Sequence, residues 1–408
     1  MTRARFQVGL VVHTFNMGGL ERCVSHLLNH LDRSRFEPKL VCLGQNGTAS
    51  SWLTVTDVPV VELHKPPGKP GPRFFRRLRD SFRDQHLELV HSHNWGTLVE
   101  TAVAASLAGN LVHVHSERGT VLGGSTAKSL WRRQINAWVL RKTLGHCDAV
   151  LAVDESVAAR VEAACGFRQS RIQVIPNGVP RPACDAPPAA RARIRQSLGI
   201  APGETLLCSL GRLVPVKGFD LLISAVAQSR KRFAHLHLVL IGDGPLREEL
   251  ESQARREGVE HVVHFAGRQS QVGDWLAASD LFVNSSRSEG MSQALVEAMT
   301  FGLPLVVTDV GGNAGLAGGA VPCGLIVPPE DSAALAGAIE RMVGDEQLAG
   351  ACGRAGEERA QRCFSLPGMI RRYEELYEKL LEDRSPRRHE RARTAGAALA
   401  TTDTREET

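Results

Sequence analysis

Apolar residues along the chain fall into short, nearly continuous runs, and stretches with helical spacing separate them. Val8–His13, Leu40–Leu43, Val58–Val61, Leu87–His91, Leu111–Val114, Ala149–Val153 and Ile172–Ile175 read as strands. Leu20–Leu31, Thr97–Leu107 and Leu130–Leu144 read as amphipathic helices between them. Strands apolar on both faces and alternating with helices predict a parallel sheet covered on both sides. The pattern breaks at Pro176–Gly203, a stretch with six prolines and an Arg-rich helical segment, which reads as a domain linker. It restarts with the strands Thr205–Leu210, Leu236–Ile241, His261–Phe265, Leu281–Val283 and Leu305–Thr308. Helices are expected near Phe219–Gln228, Pro245–Glu257, Ser292–Thr300 and Ala333–Val343. The pattern divides into two doubly wound α/β domains, 1–180 and 181–362, then a helical segment 363–381. Residues 382–408 carry six arginines, six acidic residues and almost no large apolar side chains, and read as a disordered tail.

Composition narrows the class. The 408 residues allow two or three domains, and 43 % hydrophobic with 23 % charged residues is ordinary for a globular protein. A net charge of +5 argues neither for nucleic acid nor for a membrane, and no nucleic-acid partner is expected. The nine cysteines are scattered without a Cys-x-x-Cys pair, which fits reduced thiols and a cytoplasmic enzyme. No signal peptide is visible and no uninterrupted apolar run reaches a spanning length.

In doubly wound units ligands bind beyond the carboxyl ends of the strands, and two facing units imply a cleft. The informative residues should therefore sit in strand-end loops. The stretch Ser288-Glu289-Gly290-Met291-Ser292 follows a strand and opens a helix that carries Glu297. Free N–H groups at a helix start suit a phosphate, and a carboxylate can accept hydrogen bonds from vicinal hydroxyls. The loop Gly211–Gly218 projects Arg212 and Lys217, two cations that could hold a diphosphate as a leaving group. Gly18-Gly19 forms the turn between the first strand and the first helix. His91/His93 and His113/His115 close two strands, with each pair on one strand face. Without acidic or cysteine ligands at metal-like spacing, neither a metal nor another cofactor is expected. His93 and His115 read as lining of the cleft, and Glu117 and Arg118 as groups for substrate hydroxyls. Arg268 and Gln269 are candidates for the nucleotide base. Gly123–Ser129 and Gly242-Asp243-Gly244 fail as nucleotide fingerprints, because Ala127 and Arg247 occupy glycine positions.

Basic charge collects in two places. Residues 65–83 hold seven Lys/Arg against one Asp, with Phe74, Phe75, Leu78 and Phe82 at helical spacing. Residues 128–142 combine Trp131 and Trp138 with five cations. Both segments could lie on an anionic membrane surface, giving a peripheral position on the inner face of the plasma membrane.

Gly18-Gly19, His115, Pro176-Asn177-Gly178-Val179, the Gly211–Gly218 loop, Ile241–Pro245 and the Glu289…Glu297 spacing occur in this order. Together they resemble the family 4 glycosyltransferases of the GT-B fold over about residues 6–380, nearest to bacterial exopolysaccharide or lipid-linked sugar transferases. The resemblance implies two Rossmann-like domains, a retaining hexosyl transfer without a metal, and a UDP- or GDP-linked sugar donor. The acceptor would be a glycan or a lipid-linked hydroxyl. It implies that Arg212 and Lys217 hold the diphosphate, Glu297 the ribose, and Glu289 the donor sugar, beside backbone amides of Gly290, Met291 and Ser292. It further implies that Gly18 and Gly19 approach the phosphate or acceptor, that His115 lines the reaction centre, and that segment 363–381 crosses back to the first domain. Met291-Ser292-Gln293 stands where many relatives carry Gly-x-Pro, which leaves the donor sugar open. A nucleotide-sugar epimerase and a non-catalytic nucleotide-sugar-binding protein are the alternatives.

Overall fold

A computed structural model of the chain describes residues 5–66, 68, 71–118 and 130–400, apart from the side chains of 130 and 385–400. The chain forms two compact units, Met1–Ile175 with Met369–Thr408, and Pro176–Gly368.

Unit 1 runs β1 (Phe6–Val12), α1 (Gly19–His30), β2 (Phe36–Cys42), β3 (Val60–Glu62), α2 (Pro72–Asp84) and β4 (Leu89–His93). It continues through α3 (Trp95–Ala108), β5 (Val112–Glu117), α4 (Leu130–Leu144), β6 (Ala149–Ala152), α5 (Glu155–Cys165) and β7 (Ile172–Val174). All seven strands are parallel, in the order β3-β2-β1-β4-β5-β6-β7. Right-handed crossovers put α2, α3, α4 and α5 side by side on one face. There Phe74, Leu78 and Phe82 of α2 pack with Val11, Val41, Val90 and Ala104 into one core. The apolar stripe of α2 is therefore buried, and the cations Arg73, Arg76 and Arg77 face solvent.

Unit 2 runs α6 (Pro187–Ser197), β8 (Thr205–Leu210), α7 (Phe219–Ser229), β9 (Leu236–Ile241), α8 (Arg247–Arg256), β10 (Val263–Gly267) and α9 (Val272–Ala278). β11 (Leu281–Asn284), α10 (Gln293–Met299), β12 (Leu305–Thr308), α11 (Asn313–Ala317), β13 (Gly324–Val327), α12 (Ser332–Gly344) and α13 (Glu346–Cys363) complete it. Its six parallel strands follow the order β10-β9-β8-β11-β12-β13. The strand β13 has no counterpart in the sequence expectations, because a four-residue run after a Gly-rich stretch carries little pattern.

Two boundaries differ from the sequence reading. The Arg-rich helix α6 is no free linker: Arg191 and Arg195 both pair with Asp280, at 2.5 and 3.0 Å, which ties α6 to unit 2. The last helix, α14 (Leu366–Ala400), extends through most of the segment expected to be a tail. Arg384 anchors it beyond residue 382, donating to Leu111 O at 2.7 Å and to Asp148 at 2.9 Å. Residues 401–408 lie outside the described residues, as does Gly123–Ser129. α14 lies against α1 and β2, where Asp32 N donates to Glu374 and Arg35 pairs with Glu378.

Candidate active site

In unit 2 the chain order along the sheet reverses between β8 and β11, the position where open α/β sheets bind ligands. The loops leaving these two strands carry the Arg212/Lys217 pair and Glu289, and they are bonded to each other. Lys217 Nζ lies 2.5 Å from Glu289 Oε1. Ser286 Oγ donates to the same carboxylate oxygen at 2.8 Å. Ser285 Oγ donates to Lys217 O at 3.1 Å, and Arg287 N to Val216 O at 2.8 Å. Gly218 permits this approach: its φ is +62°, and a Cβ there would run into Ser285 O.

Arg287 is the clamp of this junction. It donates to Pro215 O at 2.8 Å, to both carboxylate oxygens of Asp220 at 2.8 and 2.6 Å, and to Glu330 at 2.7 Å. Hydrogen bonding to Arg287 holds the Asp220 carboxyl below its ordinary range. Arg212 stands exposed a few residues earlier in the same loop.

Behind the Glu289 loop lies a polar network. Asn284 donates to Ser292 Oγ at 3.3 Å and accepts from Ser286 N at 3.2 Å, and Asn313 donates to Asn284 Oδ1 at 3.1 Å. Gly312 N donates to Gly290 O at 2.8 Å. The Gly290–Ser292 backbone is thereby held on one course into α10. Met291 is buried, with Asn177 N–H 3.3 Å from its Sδ, so its side chain is engaged away from solvent. Glu297 is half-buried on α10. Arg268 is exposed in the turn after β10, and β9 separates that strand from β8 and the Lys217 loop.

In unit 1, Gly18 and Gly19 open α1 in the loop after β1. The four histidines prove to be two separate pairs. β4 and β5 align Ser92 with His115 and His91 with Val114. His113 Nε2 and His115 Nδ1 therefore both meet Ser92 Oγ, at 2.8 and 2.9 Å, on one side of the sheet. On the other side His91 meets Tyr377 and Ser116, both at 2.6 Å, with His93 beside it. Burial pushes His113 and His115 down to about 3 and His91 and His93 well below the ordinary imidazole range, so all four are neutral at pH 7.

Both ring nitrogens of His93 and the Nε2 of His115 are buried without a hydrogen-bond partner among the described residues. His115 Nε2 is 3.9 Å from Glu117 Oε2, beyond hydrogen-bond reach. Buried polar atoms left unpaired are rare, and here they gather at the carboxyl ends of β4 and β5. Arg118 is not turned to solvent: its Nη2 donates to Tyr373 OH at 2.6 Å.

Sequence reasoning missed Arg287, Asp220, Asn313 and the two tyrosines. Tyr373 and Tyr377 are the only tyrosines in the chain and stand four apart, a signal that could have marked them. Arg287 lies within the Glu289 motif but reads as one more surface cation until Asp220 is seen opposite it.

The fold and these loops define a class of enzyme, and comparison with known proteins agrees. "Glycosyltransferase Family 4" matches residues 17–181, and "Glycosyl transferases group 1" matches 190–359. The GDP-mannose-dependent alpha-(1-6)-phosphatidylinositol monomannoside mannosyltransferase of Mycobacterium tuberculosis is 30 % identical over 301 residues, 71 % of this chain and 75 % of that protein. The lipopolysaccharide core biosynthesis mannosyltransferase LpsB of Rhizobium meliloti is 28 % identical over 201 residues, 48 % of this chain and 57 % of its own length. The crystal structure of Anabaena Alr3699/HepE in complex with UDP has a TM-score of 0.79 at 22 % identity, covering 92 % of this chain and all of that one. The chain belongs to the family 4 glycosyltransferases of the GT-B fold.

Proposed function

We propose that this glycosyltransferase moves a hexose, with retention of anomeric configuration, from a UDP- or GDP-linked donor to a hydroxyl of a glycan or lipid-linked acceptor in cell-surface polysaccharide synthesis. The reading rests on one observation above all: the loops after β8 and β11 bring Lys217 and Glu289 together at the switch point of unit 2. The relatives' names support the acceptor class, since one acts on a phosphatidylinositol mannoside and another in lipopolysaccharide core synthesis.

On this reading Arg212 and Lys217 take the diphosphate, Glu289 and the backbone of Gly290, Met291 and Ser292 take the sugar, and Glu297 takes the ribose. Arg268 stands toward the base. Gly18, Gly19, His93, His115 and Glu117 form the acceptor side, with His115 offering a neutral ring rather than a charge. The bond from the anomeric carbon to the phosphate oxygen breaks, and its electron pair leaves on the diphosphate. The acceptor oxygen bonds to the same face of that carbon, and its proton passes to the departing phosphate oxygen. The two cations stabilise the developing charge, and no metal is assigned a role. A nucleotide-sugar donor with a lipid-linked acceptor supports a cytoplasmic enzyme, peripheral on the inner face of the plasma membrane.

The test is transfer of labelled sugar from UDP- and GDP-hexoses to a lipid-linked acceptor, with anomer analysis of the product. Loss of transfer in both Arg212→Ala and Lys217→Ala is expected. Unchanged turnover in both would overturn the mechanism, and release of an epimerised sugar without acceptor would favour the epimerase.

A further inference from the structure

We infer that Ser92 and His113 are positioning residues: they hold His115 in the Nδ1–H tautomer, leaving its Nε2 to accept a hydrogen bond from a substrate hydroxyl to which the Trp95 indole N–H donates. This rests on the proposed function only for the presence of substrate beside His115.

The tautomer follows from counting protons. Ser92 Oγ carries one proton and meets two ring nitrogens, His113 Nε2 at 2.8 Å and His115 Nδ1 at 2.9 Å. Both rings are neutral at pH 7, so each holds one proton. The hydroxyl donates to one ring only, and the other ring must donate to it. Cys147, just beyond α4, decides the direction. Its Sγ lies 3.5 Å from His113 Nδ1 and 3.6 Å from Thr143 O. Burial pushes this thiol up to about 12, so the S–H is present. A carbonyl oxygen only accepts, so the S–H donates to Thr143 O and the sulfur accepts from His113 Nδ1–H. His113 Nε2 is then bare and accepts from Ser92 Oγ–H. Ser92 Oγ in turn accepts from His115 Nδ1–H, and His115 Nε2 is left as a lone pair. The reverse order would turn the S–H to His113 and leave the Thr143 contact without a proton. Glu117 Oε2, 3.9 Å from His115 Nε2, is out of hydrogen-bond reach.

Trp95 supplies the complement. It is the first residue of α3, and its ring centroid lies 6.4 Å from that of His115. Its Nε1 is buried without a partner among the described residues. Asn94 before it has φ 60° and ψ 163°, a costly conformation for a residue with a side chain. Asn94 N donates to Ser116 O at 2.9 Å and Asn94 Oδ1 accepts from Arg118 N at 2.9 Å, which holds the strained residue in place and fixes where Trp95 stands. A bare nitrogen and an N–H on neighbouring rings match a hydroxyl, which donates to the first and accepts from the second. A carboxylate or an ammonium group matches only one of them.

The tautomer is read in the full chain without substrate, from long-range proton–nitrogen correlations of isotope-labelled histidine, with the His115 signals assigned by their loss in His115→Gln. A protonated Nδ1 and a bare Nε2 are expected. Ser92→Ala should increase the Nε2–H form and raise the acceptor KM about tenfold, the effect of one hydrogen bond, with the donor KM unchanged. Ser92→Thr should restore both. Trp95→Phe should raise the acceptor KM about tenfold without moving the tautomer. Should Ser92→Ala fail to fold, Cys147→Ala puts the question from the other end, where the thiol is only half-buried. His113 Nδ1–H then loses its acceptor, and the Nε2–H form should again grow at His115. A native His115 protonated on Nε2, a tautomer unmoved in the Ser92 and Cys147 variants, or an unchanged acceptor KM in Trp95→Phe would overturn the proposal. Absence of sugar transfer by a native chain that shows the Nδ1–H tautomer would count against the proposed function and leave the relay standing.

Discussion

Lys217 and Glu289 are each other's partners, with Nζ and Oε1 2.5 Å apart. The cation assigned to the phosphates is thus held by the carboxylate assigned to the sugar. On the proposed assignment a donor would turn Lys217 from the carboxylate to the diphosphate, leaving Glu289 its bond from Ser286 Oγ. Glu289→Gln should therefore free Lys217 and bind UDP or GDP at least as tightly as the native enzyme, while turnover falls about 10²- to 10³-fold. Lys217→Ala should weaken nucleotide binding and turnover together. Calorimetric titration with the free nucleotides separates the two variants, and equal loss of nucleotide binding in both would refute this coupling.

Arg287 should act on donor binding through position rather than contact. Arg287→Ala removes charge-assisted hydrogen bonds worth about 2 kcal/mol in stability and releases the Lys217 loop from the Glu289 loop. The expected kinetic signature is a KM for the donor raised about tenfold, the equivalent of about 1.4 kcal/mol, with a smaller change in kcat. Arg287→Lys keeps one charge but not the fork, and should recover part of the stability and little of the KM. A fall in stability with an unchanged KM would make Arg287 a structural residue only.

Gly218→Ala should cost more than the usual loop substitution. The position needs φ of +62°, and the added Cβ would run into Ser285 O. Left-handed backbone costs about 1 kcal/mol or more for a residue with a side chain, and the collision pushes the two loops apart. A lowered melting temperature with a larger proportional loss of donor affinity is expected, and a neutral variant would show that the loops do not depend on this contact.

Acid should destabilise unit 1. His113 and His115 are held at about 3 by burial, against 6.5 in the unfolded chain, and burial also lowers His91 and His93. Between these limits the unfolded chain binds more protons than the native one, so stability rises with pH. It is fully present above about 6.5 and is lost as pH falls toward 3, at up to about 1.4 kcal/mol per pH unit for each histidine. Urea midpoints at pH 7 and 5 should differ accordingly. A flat profile would mean that the histidines are solvated or paired in solution.

If Arg212 and Lys217 meet the diphosphate charge as proposed, a chelator should leave transfer unchanged. Loss of turnover restored by magnesium would give that task to a metal.

Much of this protein is written locally. Segments such as Ala149–Val153 and Leu305–Val307 are apolar on both faces, and that alone demands a sheet covered on both sides. Once the sheet is parallel, the residues following each strand, Arg212 to Lys217 and Glu289 to Ser292, must share one edge. Period and turn chemistry act over a few residues and can be read without the fold. Contacts across the chain cannot. His91/His93 and His113/His115 are legible as two same-face pairs, but only the β4–β5 register sets the pairs on opposite sides of the sheet. Arg118 reads as a substrate ligand until Tyr373, 255 residues later, takes its guanidinium. The helices α2 and α4 both mix aromatic and basic residues, yet one buries its aromatics against β1 and β2 while the other leaves two indoles in solvent. Helical periodicity specifies which side chains share a stripe, whereas only the packing of neighbouring elements decides what that stripe meets.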